Sequence, residues 1–291
     1  MTGRAQTCDH GAILREALDR AAAAAPAGWV VFDLDSTLLD NCPRQARIVQ
    51  EYGRAAGLPA LLRVTPGDCR GWDLRVALRS AGLSPRAVEA HEPPLRRFWA
   101  ERFFTSEHCR EDVPVGGAPA FVRAMAAAGA RIVYVSGRPE RMRLGTLDTL
   151  DRHGFPAPDG DRVRLLLKPD AAQADDAWKA EACARVTSLG PVIAAFDNEP
   201  AHVNLYAEAW PQALCVHLDT DHSPRPIAVL ARVPSVPDLR LAPPGAPAQR
   251  SASRTSSGTS GASPPPPRMF TTGEEAARTT EPPGREGPSP Q

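Results

Sequence analysis

Five short apolar runs, separated from one another by helical patterns, constrain the fold of this chain more than any other feature of its sequence. The runs are mostly apolar along their whole length, which is typical of strands buried on both faces. Strands that alternate with helices predict a parallel sheet covered by helices on both sides, with right-handed crossovers. The predicted fold is therefore α/β, a Rossmann-like three-layer sandwich with a parallel sheet of about five strands. The strands are predicted at residues 28–32, 131–135, 163–167, 191–196 and 213–218, and the intervening helices at 119–128, 140–153, 176–189 and 200–209.

One connection is much longer than the others. About 80 residues separate the first strand from the next helix of the pattern, where a few residues would suffice. Helical patterns at residues 44–56, 73–81 and 86–104 predict that this stretch is a small helical domain. The chain is accordingly divided into a catalytic core at residues 1–40 and 115–242 and a helical cap insert at residues 41–114.

The last part of the chain, residues 243–291, is rich in Pro, Ser and Gly and has almost no large apolar residues. Such a segment cannot offset the entropy cost of becoming ordered, so we expect a disordered tail. The run of four prolines at residues 264–267 is compatible with a polyproline ligand for a protein partner, but a solvated tail is the simpler interpretation.

The overall composition gives few hints of a partner. Lys plus Arg and Asp plus Glu both number 34, so no charge field indicates an obligatory nucleic-acid or membrane partner. The polar start of the chain and the short alanine run at residues 21–25 resemble neither a signal peptide nor a membrane span. We expect a soluble, cytoplasmic protein whose six scattered cysteines are reduced thiols.

Reactive side chains follow the predicted strands at their carboxyl ends, the edge where such sheets bind ligands. Asp33 and Asp35 end the first strand, and in an extended segment their side chains point to the same side. Two adjacent carboxylates repel each other unless a cation lies between them or one is protonated. The other candidates are Ser136, Gly137 and Arg138 after the second strand, Lys168 after the third, Lys179 in the following helix, and Asp197, Asn198 and Glu199 after the fourth.

This set of residues predicts phosphate chemistry. A hard cation such as Mg²⁺, held additionally by Asp197, would relieve the repulsion between the two carboxylates. One aspartate can then attack phosphorus as a nucleophile, and the second can act as a general acid and base. A lysine, the Ser136 hydroxyl and backbone amides would neutralise the phosphate oxygens.

The four motifs, in this order, resemble those of the haloacid dehalogenase-like hydrolase superfamily, over roughly residues 28–218. The resemblance implies that Asp33 is the nucleophile and that Asp35 is the general acid and base, with its backbone carbonyl on the metal. It also implies that Ser136 binds phosphate and that Asp197 binds Mg²⁺. The Asp35 position indicates the phosphatase branch, because the dehalogenase branch lacks it. Thr37, Gly137, Arg138 and Lys168 complete the predicted phosphate and substrate contacts, and Asn198 the predicted metal ligands.

Some choices stay open at the level of sequence. Lys179 matches the motif lysine better than Lys168, because the stretch around it is closer to the family's acid phosphatases and polynucleotide 3'-phosphatases. Asn198 replaces a second aspartate found in many members, which reduces the negative charge offered to a metal; Glu199 is a possible substitute. The arginines of the insert could contact substrate anions: Arg44, Arg47, Arg70 and Arg75.

Three functions agree with the sequence to different degrees. The first is a phosphomonoesterase for a small phosphorylated substrate, over which the insert would close as a cap. The second is a nucleotide or nucleic-acid end phosphatase, and the third is a non-catalytic binding protein of the same fold. The paired carboxylates argue against the third, since a scaffold has no physical need for them at one strand tip.

Overall fold

The computed structural model describes residues 9–241 of the chain. The predicted tail at residues 243–291 therefore lies outside the described residues. All five predicted strands form within a few residues of the predicted runs. The strands are β1 (Trp29–Phe32), β2 (Leu39–Asp40), β3 (Val113–Pro114), β4 (Arg131–Pro139), β5 (Val163–Lys168), β6 (Val192–Asp197), β7 (Leu214–Leu218) and β8 (Ser235–Val236).

The main sheet has six strands in the order β5-β4-β1-β6-β7-β8, and every neighbouring pair is parallel. The sixth strand, β8, is an addition to the predicted five. It follows an irregular stretch and has only two residues, too few to show a periodicity in the sequence. The predicted α/β fold class is confirmed, with β1 in the middle of the sheet.

Eight α-helices accompany these strands in the described residues. Each predicted helix is present, and α8 has the predicted bounds. The helices are α1 (His10–Ala23), α2 (Cys42–Ala55), α3 (Leu74–Ser80), α4 (Pro85–Phe103), α5 (Ala118–Ala127), α6 (Arg143–Arg152), α7 (Asp175–Thr187) and α8 (Pro200–Ala209).

Alternate residues of β1 face the two helical layers, as the period of a strand requires. Val30 and Phe32 belong to one buried cluster, which includes apolar residues of α1 and α5. Trp29 and Val31 belong to a second cluster, formed with α7 and α8. Both clusters bury strand and helix side chains, so the sheet holds β1 rigidly and fixes the position of the residues that follow it.

The helical stretch between β2 and β3 has a core of its own. β2 and β3 pair antiparallel at its base, and α2, α3 and α4 lie between them in sequence. Tyr52, Leu95, Trp99 and Phe103 are buried in a third cluster, distinct from those of the sheet. This core is compatible with the predicted insert at residues 41–114, which stays a prediction.

Among residues 9–241, no helix is both long enough and apolar enough to cross a membrane. Five of the six cysteines lie in this part of the chain, and all five are buried free thiols.

Candidate active site

Asp33 is the first residue after β1, and the sheet fixes its backbone. Its N–H donates a hydrogen bond to the Phe196 carbonyl at 3.0 Å, which extends the ladder between β1 and β6 by one residue. The Asp33 carboxylate is almost fully buried, with 6% of the residue exposed. Asp197, the last residue of β6, is fully buried beside it. The two predicted carboxylates are therefore brought together although 164 positions separate them.

Lys179 joins these two carboxylates. It lies in the second turn of α7, and its Nζ donates to Asp33 Oδ1 at 2.6 Å and to Asp197 Oδ2 at 2.8 Å. The same ammonium also lies 3.2 Å from the Val135 carbonyl and 3.1 Å from the Tyr206 hydroxyl. Lys179 is thus fully surrounded by oxygen atoms at the carboxyl edge of the sheet.

Lys168, the alternative motif lysine, points elsewhere. Its Nζ donates to Asp175 Oδ1 at 2.6 Å and to the Gln173 carbonyl at 3.0 Å. The Asp175 side chain is 60% exposed, so this ion pair lies at the protein surface. The structure therefore places Lys179, and not Lys168, on Asp33.

The ionic surroundings of Asp33 are unbalanced. Burial raises the pKa of Asp33 to about 7, because Lys179 opposes this effect only in part and Asp197 adds a like charge. Burial would also raise the pKa of Asp197, but Lys179 and His202 hold it well below its usual range. Burial would lower the pKa of His202, but its contacts with Asp176 and Asp197 raise it to about 9. Lys179 and His202 together favour the ionised form of Asp197, whereas Asp33 has, among the described residues, Lys179 alone and its ionised form is disfavoured.

A divalent cation fits this set of residues. Carboxylate oxygens are the ligands that Mg²⁺ prefers, and a cation would stabilise the ionised form of Asp33, whose pKa is raised. Lys179 donates a hydrogen bond to Oδ1 of Asp33, so the other carboxylate oxygen, Oδ2, can bind a metal. Within residues 9–241, no group of three or more His, Cys, Asp or Glu side chains is arranged to hold a metal. The fit therefore rests on two carboxylates, with further oxygens from backbone, water or substrate.

Asp35, two residues after Asp33, lies in a different ionic cluster. Arg138 from β4 holds both of its oxygens, through Nε to Oδ2 and Nη2 to Oδ1, each at 2.8 Å. Arg44 from α2 of the insert contacts the same carboxylate at 3.1 Å. Both arginines also bind Asp112, Arg138 at 2.6 Å and Arg44 at 2.5 and 2.8 Å. Two carboxylates and two guanidiniums thus form a buried cluster that joins the insert to the sheet.

This cluster sets the charge of Asp35. Burial alone would raise the pKa of Asp35, but Arg138 and Arg44 together hold it well below its usual range. Arg138 was predicted to contact substrate phosphate, and Arg44 was a candidate for substrate anions. Both guanidiniums bind protein carboxylates, and their contacts with a substrate stay predictions. Asp112 was not singled out from the sequence, since it follows no predicted strand and no residue near it signals the contact.

Ser136 lies in β4, one position beyond the predicted strand end. Its hydroxyl oxygen accepts the Arg138 backbone N–H at 3.2 Å. The Ser136 carbonyl accepts the indole N–H of Trp178 at 2.8 Å, which anchors the start of α7 to β4 and so positions the neighbouring Lys179. A side chain at Gly137 would approach the Asp175 carboxylate to about 3.2 Å, tighter than ordinary contact.

Thr37, Asn198 and Glu199 have partners within the protein. The Thr37 hydroxyl donates to Asn198 Oδ1 at 3.0 Å, and Thr37 is completely buried. Glu199 accepts hydrogen bonds from Ser223 and Arg225, which belong to the irregular segment after β7. The Glu199 carboxylate is therefore already used for structure, which argues against its serving as the substitute metal ligand.

No protein-family model matches the chain. Among curated proteins, it is similar to the N-acetylmuramic acid 6-phosphate phosphatase of Pseudomonas aeruginosa, with 32% identity over 143 residues. The match covers 48% of this chain and 58% of the relative, so the chain matches somewhat more than half of that protein's length.

Two solved structures illustrate the structural likeness. A haloacid dehalogenase superfamily hydrolase of subfamily IA from Geobacter sulfurreducens has a TM-score of 0.47 and 15% identity, covering 74% of this chain and 94% of that one. A predicted phosphoglycolate phosphatase from Haemophilus somnus has a TM-score of 0.44 and 16% identity, covering 74% and 96%. The sequence match to a phosphatase, with motif residues after β1, in β4, in α7 and at the end of β6, confirms the predicted resemblance to haloacid dehalogenase-like hydrolases.

Proposed function

We propose that this chain, which resembles the haloacid dehalogenase-like hydrolases, is a magnesium-dependent phosphomonoesterase that acts on a small phosphorylated molecule. The observation that carries the proposal is the Asp33, Lys179 and Asp197 group at the carboxyl edge of the sheet. A non-catalytic protein has no use for two buried carboxylates and a single ammonium at one strand tip, because their burial destabilises the fold. The curated relative supports phosphatase chemistry, and its named substrate is a phosphorylated sugar.

Asp33 is the proposed nucleophile. Its carboxylate oxygen attacks phosphorus, the bond to the leaving oxygen breaks, and an aspartyl phosphate forms on Asp33. Lys179 touches Asp33 and holds it in orientation. Mg²⁺, bound by Asp33, Asp197 and the Asp35 backbone carbonyl, would supply positive charge for the phosphate oxygens. The Ser136 hydroxyl, whose oxygen accepts the Arg138 N–H, keeps its own proton to donate to phosphate.

Asp35 is the proposed general acid and base. It is the more accessible of the two aspartates, with 20% of its side chain exposed, and Arg138 and Arg44 fix its orientation. In the first step the leaving oxygen must gain a proton, and Asp35 in its acid form is the proposed donor. The arginines favour the carboxylate form, which remains after this transfer and takes a proton from water when the aspartyl phosphate is hydrolysed.

The helical insert is the proposed cap. It reaches the carboxyl edge of the sheet at two points, through Arg44 to Asp35 and through the Gly71 N–H to the Asp221 carboxylate at 2.6 Å. A cap held against Asp35, two residues from Asp33, would exclude water and favour small substrates over phosphoproteins.

The proposal is tested with a panel of phosphorylated metabolites, a chromogenic phosphate ester and a DNA 3'-phosphate, each with Mg²⁺ and with a chelator. We expect Mg²⁺-dependent release of phosphate from one or more small esters, and a loss of about 10³-fold or more in Asp33→Asn, since the nucleophile is gone. Asp19→Asn, an exposed position on α1, is the matched control and should retain full activity.

Full activity in Asp33→Asn would eliminate the aspartate mechanism. Hydrolysis of the DNA end alone, with a steep loss at higher salt, would favour the nucleic-acid phosphatase instead. Hydrolysis of none of these esters would favour a binding protein.

A further inference from the structure

Thr37 and Asn198 form reciprocal hydrogen bonds next to the catalytic aspartates. The Thr37 hydroxyl donates to Asn198 Oδ1 at 3.0 Å and accepts the Asn198 backbone N–H, also at 3.0 Å. Thr37 is completely buried and Asn198 is 6% exposed. Thr37 lies four residues after Asp33, and Asn198 directly follows Asp197, so the pair joins the segments that carry the two carboxylates.

The other end of the Asn198 amide is also bonded. Its Nδ2 donates to the Asp221 carbonyl at 2.6 Å. The amide therefore accepts a hydrogen bond at Oδ1 and donates one from Nδ2, whereas an ionised aspartate of the same shape can only accept. A carboxylate here would place an oxygen against the carbonyl oxygen of Asp221, with no hydrogen between two acceptors.

We propose that Asn198 and Thr37 are positioning residues that hold the Asp33 turn against the end of β6, and that Asn198 is not a metal ligand. This inference depends on the proposed function only in naming Asp33 and Asp197 as the catalytic groups that the pair positions. The β1–β6 ladder reaches Asp33 through its N–H, and the Thr37 bonds reattach the chain to β6 one turn later. They restrict the separation of Asp33 from Asp197, on which the shared contact with Lys179 depends.

The pair also connects the aspartates to the insert. The Asp221 carboxylate accepts the Gly71 N–H from the insert at 2.6 Å, while the Asp221 carbonyl accepts the Asn198 amide. A change at Asn198 should therefore disturb both the strand ends and the contact that holds the insert over them. The motif has Asn198 in place of a second aspartate because the hydrogen bonds at this position require an amide. The replacement is then not a loss of metal affinity.

The first test needs neither metal nor substrate. Thermal unfolding of the metal-free full chain is compared for wild type, Asn198→Asp, Asn198→Leu, Thr37→Val and the Asn198→Leu, Thr37→Val double variant. Thr37→Val keeps the shape and removes the hydroxyl, so each single variant should lower the Tm by about 3 °C or more. The double variant should lower it by clearly less than the sum, because Asn198→Leu removes the acceptor and Thr37→Val the donor of the same hydrogen bond. Additive shifts in Tm would show that the Thr37 and Asn198 side chains do not act as a pair. This outcome does not depend on whether the chain is a phosphatase.

The second test measures Mg²⁺ binding to wild type and Asn198→Asp by calorimetry. We expect the Kd to change by less than about threefold, since the side chain at 198 faces Thr37 and Asp221. Tenfold tighter binding with an unchanged Tm would overturn the proposal and place residue 198 in the metal shell.

The third test separates positioning from stability. With the best substrate, Thr37→Val should lower kcat about tenfold with KM changed less than about twofold, because it misplaces a reacting group without removing a substrate contact. Thr37→Ser, which restores the hydroxyl, should recover most of kcat. A rise in KM at unchanged kcat would instead mean that Thr37 contacts substrate, as the sequence first indicated.

Discussion

Asp33 and Asp35 are separated by a single residue, yet their charged surroundings differ. Asp33 and its neighbour Asp197 share one cation, Lys179. Asp35 and its neighbour Asp112 share two cations, Arg44 and Arg138. The pKa of Asp33 is consequently raised to about 7, whereas that of Asp35 lies well below its usual range.

The difference shows that proximity in sequence does not decide the chemistry of a carboxylate. The Asp35 cluster is balanced, with two negative and two positive charges, so it stabilises its own ionised form and joins the insert to the sheet. Within residues 9–241, Asp33 contacts one cation only, since the second cation of its group, His202, lies against Asp197, so Asp33 is the carboxylate whose ionised form a bound metal would stabilise most. Removing a cation from either group, or changing the pH, should therefore affect the two aspartates differently.

Removing the cation that Asp33 and Asp197 share should have the largest effect. Lys179→Met leaves Asp33 without a cationic partner and Asp197 with His202 only, so we expect a loss of about 3–5 kcal/mol in the free energy of unfolding and of all measurable phosphatase activity. The measurement is urea unfolding together with the ester assay.

Lys168→Met is the matched control for that variant. Its partner Asp175 is largely exposed, so we expect a loss of about 1 kcal/mol or less. If the two substitutions cost the same, the assignment of Lys179 as the structural centre of the site is wrong.

Removing one of the two cations of the Asp35 cluster should have a smaller effect. In Arg138→Met, Arg44 still contacts both Asp35 and Asp112, so we expect a loss of about 3 kcal/mol, at the lower end for a broken buried ion pair. Arg143→Met, in an exposed ion pair with Glu140, should cost at most about 1 kcal/mol. Similar urea midpoints for the two variants would contradict the structural importance of the cluster.

The smallest effect concerns pH. The pKa of Asp33 is raised from 3.8 to about 7 in the folded chain, so the folded state holds its proton more tightly than the unfolded state does. The stability that comes from this group is present below pH 3.8 and is lost as the pH rises through 7. Between pH 5 and pH 8 the metal-free wild type should therefore lose about 2–3 kcal/mol relative to Asp33→Asn.

The measurement for this prediction is the Tm of both proteins in a chelator at several pH values. The Tm of Asp33→Asn should exceed that of wild type by a margin that grows from pH 5 to pH 8. Added Mg²⁺ should raise the wild-type Tm most at high pH, because it binds the ionised carboxylate. A margin that shrinks with rising pH would show that Asp33 is not the group whose pKa is raised.

The parts of the fold that depend on local pattern could be predicted from the sequence. The strands at residues 28–32 and 191–196 and the helix at 200–209 carry their periodicity in consecutive residues, and they form almost as predicted. The strand β8 could not be predicted, because two residues carry no periodicity and its pairing with β7 depends on the path of the preceding irregular segment.

The sequence predicted which residues belong to the site more accurately than it predicted what each of them contacts. Asp33, Asp197 and Lys179 were predicted as members of one site and are in contact. Thr37 and Arg138 were predicted as substrate contacts, but the structure gives them protein partners, Asn198 for one and Asp35 with Asp112 for the other. Their roles toward a substrate stay predictions.

By itself, then, the sequence determined the sheet, the helical insert and the reactive residues at the strand ends, because strand and helix periods and strand-end positions are properties of neighbouring residues. Only the tertiary structure decided which charges pair. Arg44 meets Asp112 across 68 positions, and Lys179 meets Asp33 across 146. Such contacts depend on how the insert and α7 pack against the sheet, and the number of cations brought to each carboxylate in this way sets the difference between Asp33 and Asp35.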